Sequence, residues 1–288
     1  MDAAAGVAAE TDDAVQLVAP GFLAACILGV VEGVTEFLPV SSTGHLIVAN
    51  RLLGQSDPTF EVGIQAGAIT AIVVLYWRRL IAAARSMFAG GSSLASNLLI
   101  LIVMAAIPAI VLGLLLDDFL DAHLFRPSVV ATTMVVGGVL LLVLERWLRR
   151  RSTAPSDITA LTPRSAVVVG LFQCLALIPG TSRSGATIAG GLLCGLSRVA
   201  AAEFSFLLGL PILYGACALK LWKAKDVIDG QYAIDLSIGA VVSFVTAIAV
   251  VVPFVRFLQR HTFAPFAHYR ILGGIALALL IWFRVIPA

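Results

Sequence analysis

Two short stretches carry side chains that could do chemistry, and both lie inside apolar sequence. Residues 32–45 read E-G-V-T-E-F-L-P-V-S-S-T-G-H and residues 179–188 read P-G-T-S-R-S-G-A-T-I. Glu32 and Glu36 are four residues apart, so a helix presents both carboxylates on one face. Ser41, Ser42, Thr43 and His45 follow a proline, and Ser182, Arg183 and Ser184 lie between glycines. A charged side chain at the centre of a bilayer costs about 2.5–3.5 kcal/mol on the insertion scale. Two glutamates and an arginine therefore need one another, a cavity or a metal, and we read them as one site.

If each stretch turns the chain and a half-helix then returns, near His45 and near Ala186, both loops place hydroxyls and free backbone N–H groups at helix N-termini. That is an anion site. Arg183 adds a guanidinium fork suited to phosphate oxygens, and the expected ligand is a phosphate or diphosphate. Carboxylates beside a phosphate repel it unless a cation lies between, so Mg²⁺ or Ca²⁺ on Glu32 and Glu36 is expected. His45 could be nucleophile or general acid, and Ser42 nucleophile or phosphate ligand. Ser41, Thr43, Ser182 and Ser184 either contact the phosphate or bond neighbouring helices, and Gln65 either lines the cavity or packs. Glu61 and Glu203 read as interfacial charges at helix starts.

The elements that position these groups follow from composition. The 288 residues are 60% hydrophobic and 12% charged, where a globular domain has about 25% charged residues. Six segments reach the roughly 20 apolar residues needed to cross a bilayer: 60–77, 97–116, 127–148, 199–222, 234–257 and 269–286. Regions 20–53 and 163–196 are also apolar, but Pro and a Gly/Ser/Thr cluster break each in its middle. They read as re-entrant helix–loop–helix hairpins, since irregular backbone at membrane depth survives only where it lines a cavity or packs in protein. The fold class is thus an all-α polytopic membrane protein with six transmembrane helices and two re-entrant hairpins. Residues 1–19 form a mobile tail and residues 20–288 a single membrane domain. The tail has no basic segment of the kind that opens a signal peptide. Cys26, Cys174, Cys194 and Cys217 lie in apolar runs without metal spacing and read as buried small hydrophobes. No basic patch with interleaved aromatics occurs, so nucleic acid is excluded as a partner.

The two halves repeat. Gly29-x-x-Glu32 matches Gly170-x-x-Gln173, Pro39 matches Pro179, and Glu61 and Gly67 match Glu203 and Gly209, at offsets of 140 to 142. Repeat 1 covers about residues 20–148 and repeat 2 about 163–288. Three spans per repeat require inverted copies, which places the broken helices near the midplane. Arg78, Arg79, Arg85, Arg146, Arg149, Arg150, Arg151, Arg164, Arg198, Arg256, Arg260 and Arg270 then fall on one side, the cytoplasmic one, and both termini lie outside. Gly63-x-x-x-Gly67 and Gly185-x-x-x-x-Gly190-Gly191 permit close helix contacts within one chain or across a homodimer.

At the two motifs the sequence closely resembles the undecaprenyl-diphosphate phosphatase family, also called the bacitracin-resistance protein family, and the layout extends the likeness over about residues 20–288. The resemblance implies a divalent-cation-dependent enzyme of the bacterial inner membrane whose site faces the periplasm. Such an enzyme hydrolyses undecaprenyl diphosphate to undecaprenyl phosphate and inorganic phosphate, recycling the carrier lipid for peptidoglycan synthesis and giving bacitracin resistance. The family's functional positions fall on Glu32, Glu36, Ser42, His45 and Arg183, with Ser182 and Ser184 flanking the phosphate. A transporter or lipid flippase shares the broken-helix layout. The acid-phosphatase superfamily fits poorly, because only Ser42-Thr43-Gly44-His45 resembles one of its elements.

Overall fold

The structure, a computed structural model, describes residues 18–55, 57–88, 94–150 and 156–287; residues 1–17 of the expected tail lie outside them. The described residues form ten α-helices: α1 Phe22–Thr35, α2 Ser42–Leu53, α3 Pro58–Phe88, α4 Leu94–His123, α5 Pro127–Leu148, α6 Pro163–Cys174, α7 Arg183–Leu193, α8 Arg198–Lys223, α9 Gly230–Leu258 and α10 Ala264–Trp282. Six of them, α3, α4, α5, α8, α9 and α10, are long and apolar enough to cross a membrane. The protein is therefore a multi-pass membrane protein. Large apolar side chains such as Leu115 (74% exposed), Leu140 and Val241 (62% each) face outward, as a lipid-facing surface requires. At about 1.5 Å per residue, α1, α2, α6 and α7 reach only roughly 16–21 Å, short of the ~30 Å hydrocarbon core.

Local sequence explains the helix starts. Pro127, Pro163 and Pro265 occupy first-turn positions of α5, α6 and α10, where a missing N–H is harmless. Thr162, Ser197 and Asp229 cap α6, α8 and α9 through their side-chain oxygens, each satisfying an otherwise orphaned amide.

The order short, short, long, long, long occurs twice, and the packing follows it. The third helices of the two halves, α3 and α8, pack on each other, and so do the fifth, α5 and α10. The first helix of each half packs on the fourth of the other: α1 on α9 and α6 on α4. The matched glycines make these crossings. A Cβ on Gly29 would lie 2.5 Å from the Gly239 carbonyl oxygen of α9, and one on Gly170 would lie 3.0 Å from the Ala105 Cα of α4. Small residues let helix backbones touch where lipid supplies no hydrophobic drive. Gly29→Ala is expected to destabilise the protein by about 1–3 kcal/mol, the usual range for overpacking. A thermal melt in detergent checks this, and an unchanged melting point would show that α1 and α9 shift apart freely. Gly63 and Gly67 likewise meet Leu236 and Ala240 of α9, and Gly190 meets Phe172 of α6, so these stripes serve packing within the chain.

The last helix departs from its expected span of 269–286. It starts at Ala264 with Pro265 in its first turn and ends at Trp282, and Arg284 turns the chain at φ 58°. Arg270 thus lies about 9 Å inside the helix and is buried, 2% exposed. It is not the surface cation that the charge pattern suggests.

Candidate active site

Both loops are built alike. α1 ends at Thr35, and α2 begins at Ser42, three residues before the expected start near His45. α7 begins at Arg183, also three residues before the expected start near Ala186. The residues just before these helices, Ser41 (φ 74°, ψ 96°) and Ser182 (φ 67°, ψ 112°), share one left-handed conformation. That backbone is costly for a residue with a Cβ. Each of these serines caps its helix, Ser41 Oγ accepting from the Gly44 amide at 3.4 Å and Ser182 Oγ from the Gly185 amide at 3.2 Å.

The loops meet. Glu36 Oε1 accepts from Arg183 Nη2 at 3.1 Å and from Nε at 3.4 Å, while Oε2 accepts from Ser42 Oγ at 3.0 Å. Ser184 Oγ donates to the Leu38 carbonyl at 3.0 Å, and the Ser182 and Ser184 hydroxyls are 3.1 Å apart. Arg183 Nη1 donates to the Ser205 carbonyl of α8 at 2.9 Å. Gly209 leaves room for the guanidinium, because a Cβ there would lie 2.7 Å from Nη1. The ion pair is largely enclosed, with side-chain exposures of 10% for Arg183 and 6% for Glu36. Such a pair holds only where hydrogen bonds satisfy the remaining polar atoms, as Ser42 and Ser205 do here.

His45 stands one turn along α2. Its Nδ1 is 2.7 Å from the Ser41 carbonyl, and its Nε2 is 2.7 Å from the Tyr269 hydroxyl of α10. The next residue, Arg270, grips the second loop. Nη1 donates to the Thr181 carbonyl at 2.8 Å, and Nη2 to the Gly180 and Thr133 carbonyls at 3.1 Å each. Thr43 and Gln65 are half-buried, and neither joins the hydrogen bonds linking the two loops. Sequence reasoning missed Tyr269, Arg270 and Ser205, each a single polar residue far along the chain from its partner. Glu61 lies in the first turn of α3, as the sequence reading has it, and also accepts from Asn50 of α2. Glu203 pairs with Arg79 at 2.8 Å.

Glu32 is fully buried, and neither carboxylate oxygen has a hydrogen-bond partner. Its counterpart in the second half, Gln173, is also buried with an unpartnered side chain. Two buried carboxylate oxygens without a partner are costly, and a bound cation would satisfy them. Among the described residues, no three His, Cys, Asp or Glu side chains converge as a complete metal site. Two free hard oxygens beside a second carboxylate do fit Mg²⁺ or Ca²⁺. Mg²⁺ in particular takes one or two carboxylates and completes its shell with phosphate and water.

The arrangement offers a hydroxyl paired with a carboxylate, a guanidinium held alongside, two helix N-termini and free carboxylate oxygens. Those are the parts that phosphoryl transfer uses. The family model described as bacitracin resistance protein BacA matches residues 25–276, which include both loops. The chain is 44% identical over 266 residues to the undecaprenyl-diphosphatase of Acidovorax ebreus (strain TPSY), covering 90% of this chain and 95% of that one. It is 44% identical over 267 residues to the undecaprenyl-diphosphatase of Clostridium tetani (strain Massachusetts / E88), covering 92% and 98%.

Proposed function

The chain belongs to the bacitracin resistance protein BacA family, and on that premise we infer that it is an undecaprenyl-diphosphatase. It hydrolyses undecaprenyl diphosphate to undecaprenyl phosphate and inorganic phosphate, and so returns the carrier lipid to peptidoglycan synthesis. Bacitracin resistance follows, because the drug sequesters the same diphosphate. The observation that carries the choice of residues is the link from Ser42 through Glu36 to Arg183 across the two loops. The long lipid tail stays among the apolar helix faces and the diphosphate head enters between the loops.

In this reading Glu36 takes the Ser42 proton as Oγ attacks the terminal phosphorus. The bond from that phosphorus to the bridging oxygen breaks, and undecaprenyl phosphate leaves with the bond's electron pair. Arg183 exchanges part of its contact with Glu36 for the phosphoryl oxygens, where charge gathers in the transition state. Water then attacks the phosphoserine with His45 accepting its proton, the bond from phosphorus to Ser42 Oγ breaks, Glu36 returns its proton to Oγ, and inorganic phosphate is released. Ser41, Thr43, Ser182 and Ser184, with the amides of α2 and α7, cradle the head group, and Gln65 lines the cavity. Glu32 and Glu36 would hold a divalent cation, which would supply positive charge against that of the phosphate.

The two halves form one membrane domain over residues 20–288 as inverted repeats, with α1–α2 and α6–α7 as re-entrant hairpins entering from opposite faces. The reciprocal packing of α1 on α9 and α6 on α4 supports that arrangement. The enzyme resides in the bacterial inner membrane, with the basic ends of α3, α5 and α9 in the cytoplasm and the site open to the periplasm.

Purified protein in detergent is expected to release inorganic phosphate from undecaprenyl diphosphate with Mg²⁺ or Ca²⁺ and to stop with EDTA. No release by folded protein would replace hydrolysis with head-group binding for transport. Glu32→Gln is expected to lower turnover by about 10²-fold at fixed Mg²⁺ and to raise the Mg²⁺ concentration needed for half-maximal rate. An unchanged Mg²⁺ dependence would take Glu32 out of the cation site.

A further inference from the structure

We propose that Tyr269 is the positioning residue of His45, holding its imidazole as the Nδ1–H tautomer with a bare Nε2. The proposal rests on the reading that places His45 in the catalytic site. The two residues are 224 positions apart in sequence, and α10 brings them together. A carbonyl oxygen can only accept, so the Ser41 carbonyl at 2.7 Å keeps a hydrogen on His45 Nδ1. The neutral ring then has a lone pair on Nε2, and the Tyr269 hydroxyl at 2.7 Å donates to it. The two rings are parallel to within 2°, with centroids 5.5 Å apart, so the phenol fixes the ring plane as well as the nitrogen. The tautomer of a histidine is set by the bond its other nitrogen makes, and here both bonds agree.

The backbone serves the same end. Ser41 adopts its left-handed φ of 74° while capping α2 through its side chain, and its carbonyl is the group that engages His45. Consecutive residues of α10 thereby hold both loops: Tyr269 holds the first through His45, and Arg270 the second through the Gly180 and Thr181 carbonyls. A base with an orienting partner on each nitrogen loses little entropy when it accepts a proton from water.

The test compares wild type, Tyr269→Phe and His45→Ala as purified, detergent-solubilised proteins with undecaprenyl diphosphate. Tyr269→Phe is expected to lower kcat by about 10- to 100-fold with little change in KM. In ¹⁵N-histidine-labelled protein, the His45 Nε2 resonance is expected to move to that of an unbonded imine nitrogen, while the Ser41 carbonyl keeps the hydrogen on Nδ1. An inactive His45→Ala beside a Tyr269→Phe variant of unchanged kcat and unchanged Nε2 resonance would overturn the proposal. Full activity in His45→Ala would instead remove the reading on which it rests.

Discussion

Glu36→Gln and Ser42→Ala are each expected to lower phosphate release by about 10³-fold, within the range for loss of a general base or its nucleophile, and the double variant is expected to be no slower than either. The reason is geometric. Glu36 Oε2 accepts the only hydroxyl proton that the first loop offers it, from Ser42 at 3.0 Å. Groups that act as a unit lose their contribution together when either is removed. Glutamine keeps the shape of Glu36 and can still accept one hydrogen bond from Arg183, so the fold should survive, and a thermal melt establishes that it does. What glutamine cannot do is take a proton. Steady-state phosphate release for the two single variants and the double variant forms the cycle. Losses that multiply would separate Glu36 from Ser42. Retained activity in Ser42→Ala would move the attack to His45, and rapidly quenched enzyme would then carry phosphate that is lost in acid but kept in alkali, as on nitrogen, rather than the acid-stable phosphate of phosphoserine.

How much of this was legible in the sequence depends on how far apart the interacting groups lie. The two motifs stood out because charged and hydroxyl side chains are costly in apolar sequence. Their need for one another predicted that the loops meet, and the Glu36–Arg183 contact bears that out. The helix starts were misplaced for a reason that single-sequence logic cannot supply. Positive φ is expected at glycine, and Gly44 and Gly185 were available. The structure takes positive φ at Ser41 in the first loop and at Gly180 and Ser182 in the second, and places Gly44 and Gly185 inside the first helical turns. Crowding explains this: a Cβ at Gly44 would lie 2.5 Å from Met134 Sδ, and one at Gly185 would lie 3.0 Å from Arg270 Nη1. Arg270 itself read as a surface charge, because hydropathy sees one arginine beside a tyrosine and cannot see four carbonyls from α5 and the second loop around it. The matched glycines were legible in the sequence, and packing explains them: Gly29 and Gly170 each lie against the backbone of a helix far along the chain, α9 and α4.

Arg183→Lys is expected to lower kcat/KM by about 10²–10³-fold, which corresponds to roughly 3–4 kcal/mol of lost transition-state stabilisation. Lysine keeps the charge, so a purely electrostatic role predicts a small effect. The structure predicts a large one because three separate nitrogens are in use: Nε and Nη2 face Glu36 while Nη1 holds the Ser205 carbonyl. One ammonium cannot span those acceptors and still reach a phosphate, whereas the planar fork can turn two nitrogens to phosphoryl oxygens while the third stays anchored. Gly209 provides a control that leaves the arginine in place. Its missing Cβ gives the guanidinium room, 2.7 Å from Nη1 and 2.9 Å from Cζ, so Gly209→Ala is expected to tilt the fork and slow the enzyme by about tenfold. In the Arg183→Lys background the same alanine meets a thinner side chain and is expected to cost almost nothing further. That non-additivity, read from kcat/KM of the two single variants and the double variant, ties the rate to the orientation of the guanidinium. If the two losses multiply instead, Gly209 acts on α8 packing, and Arg183 acts on the phosphate through its charge alone.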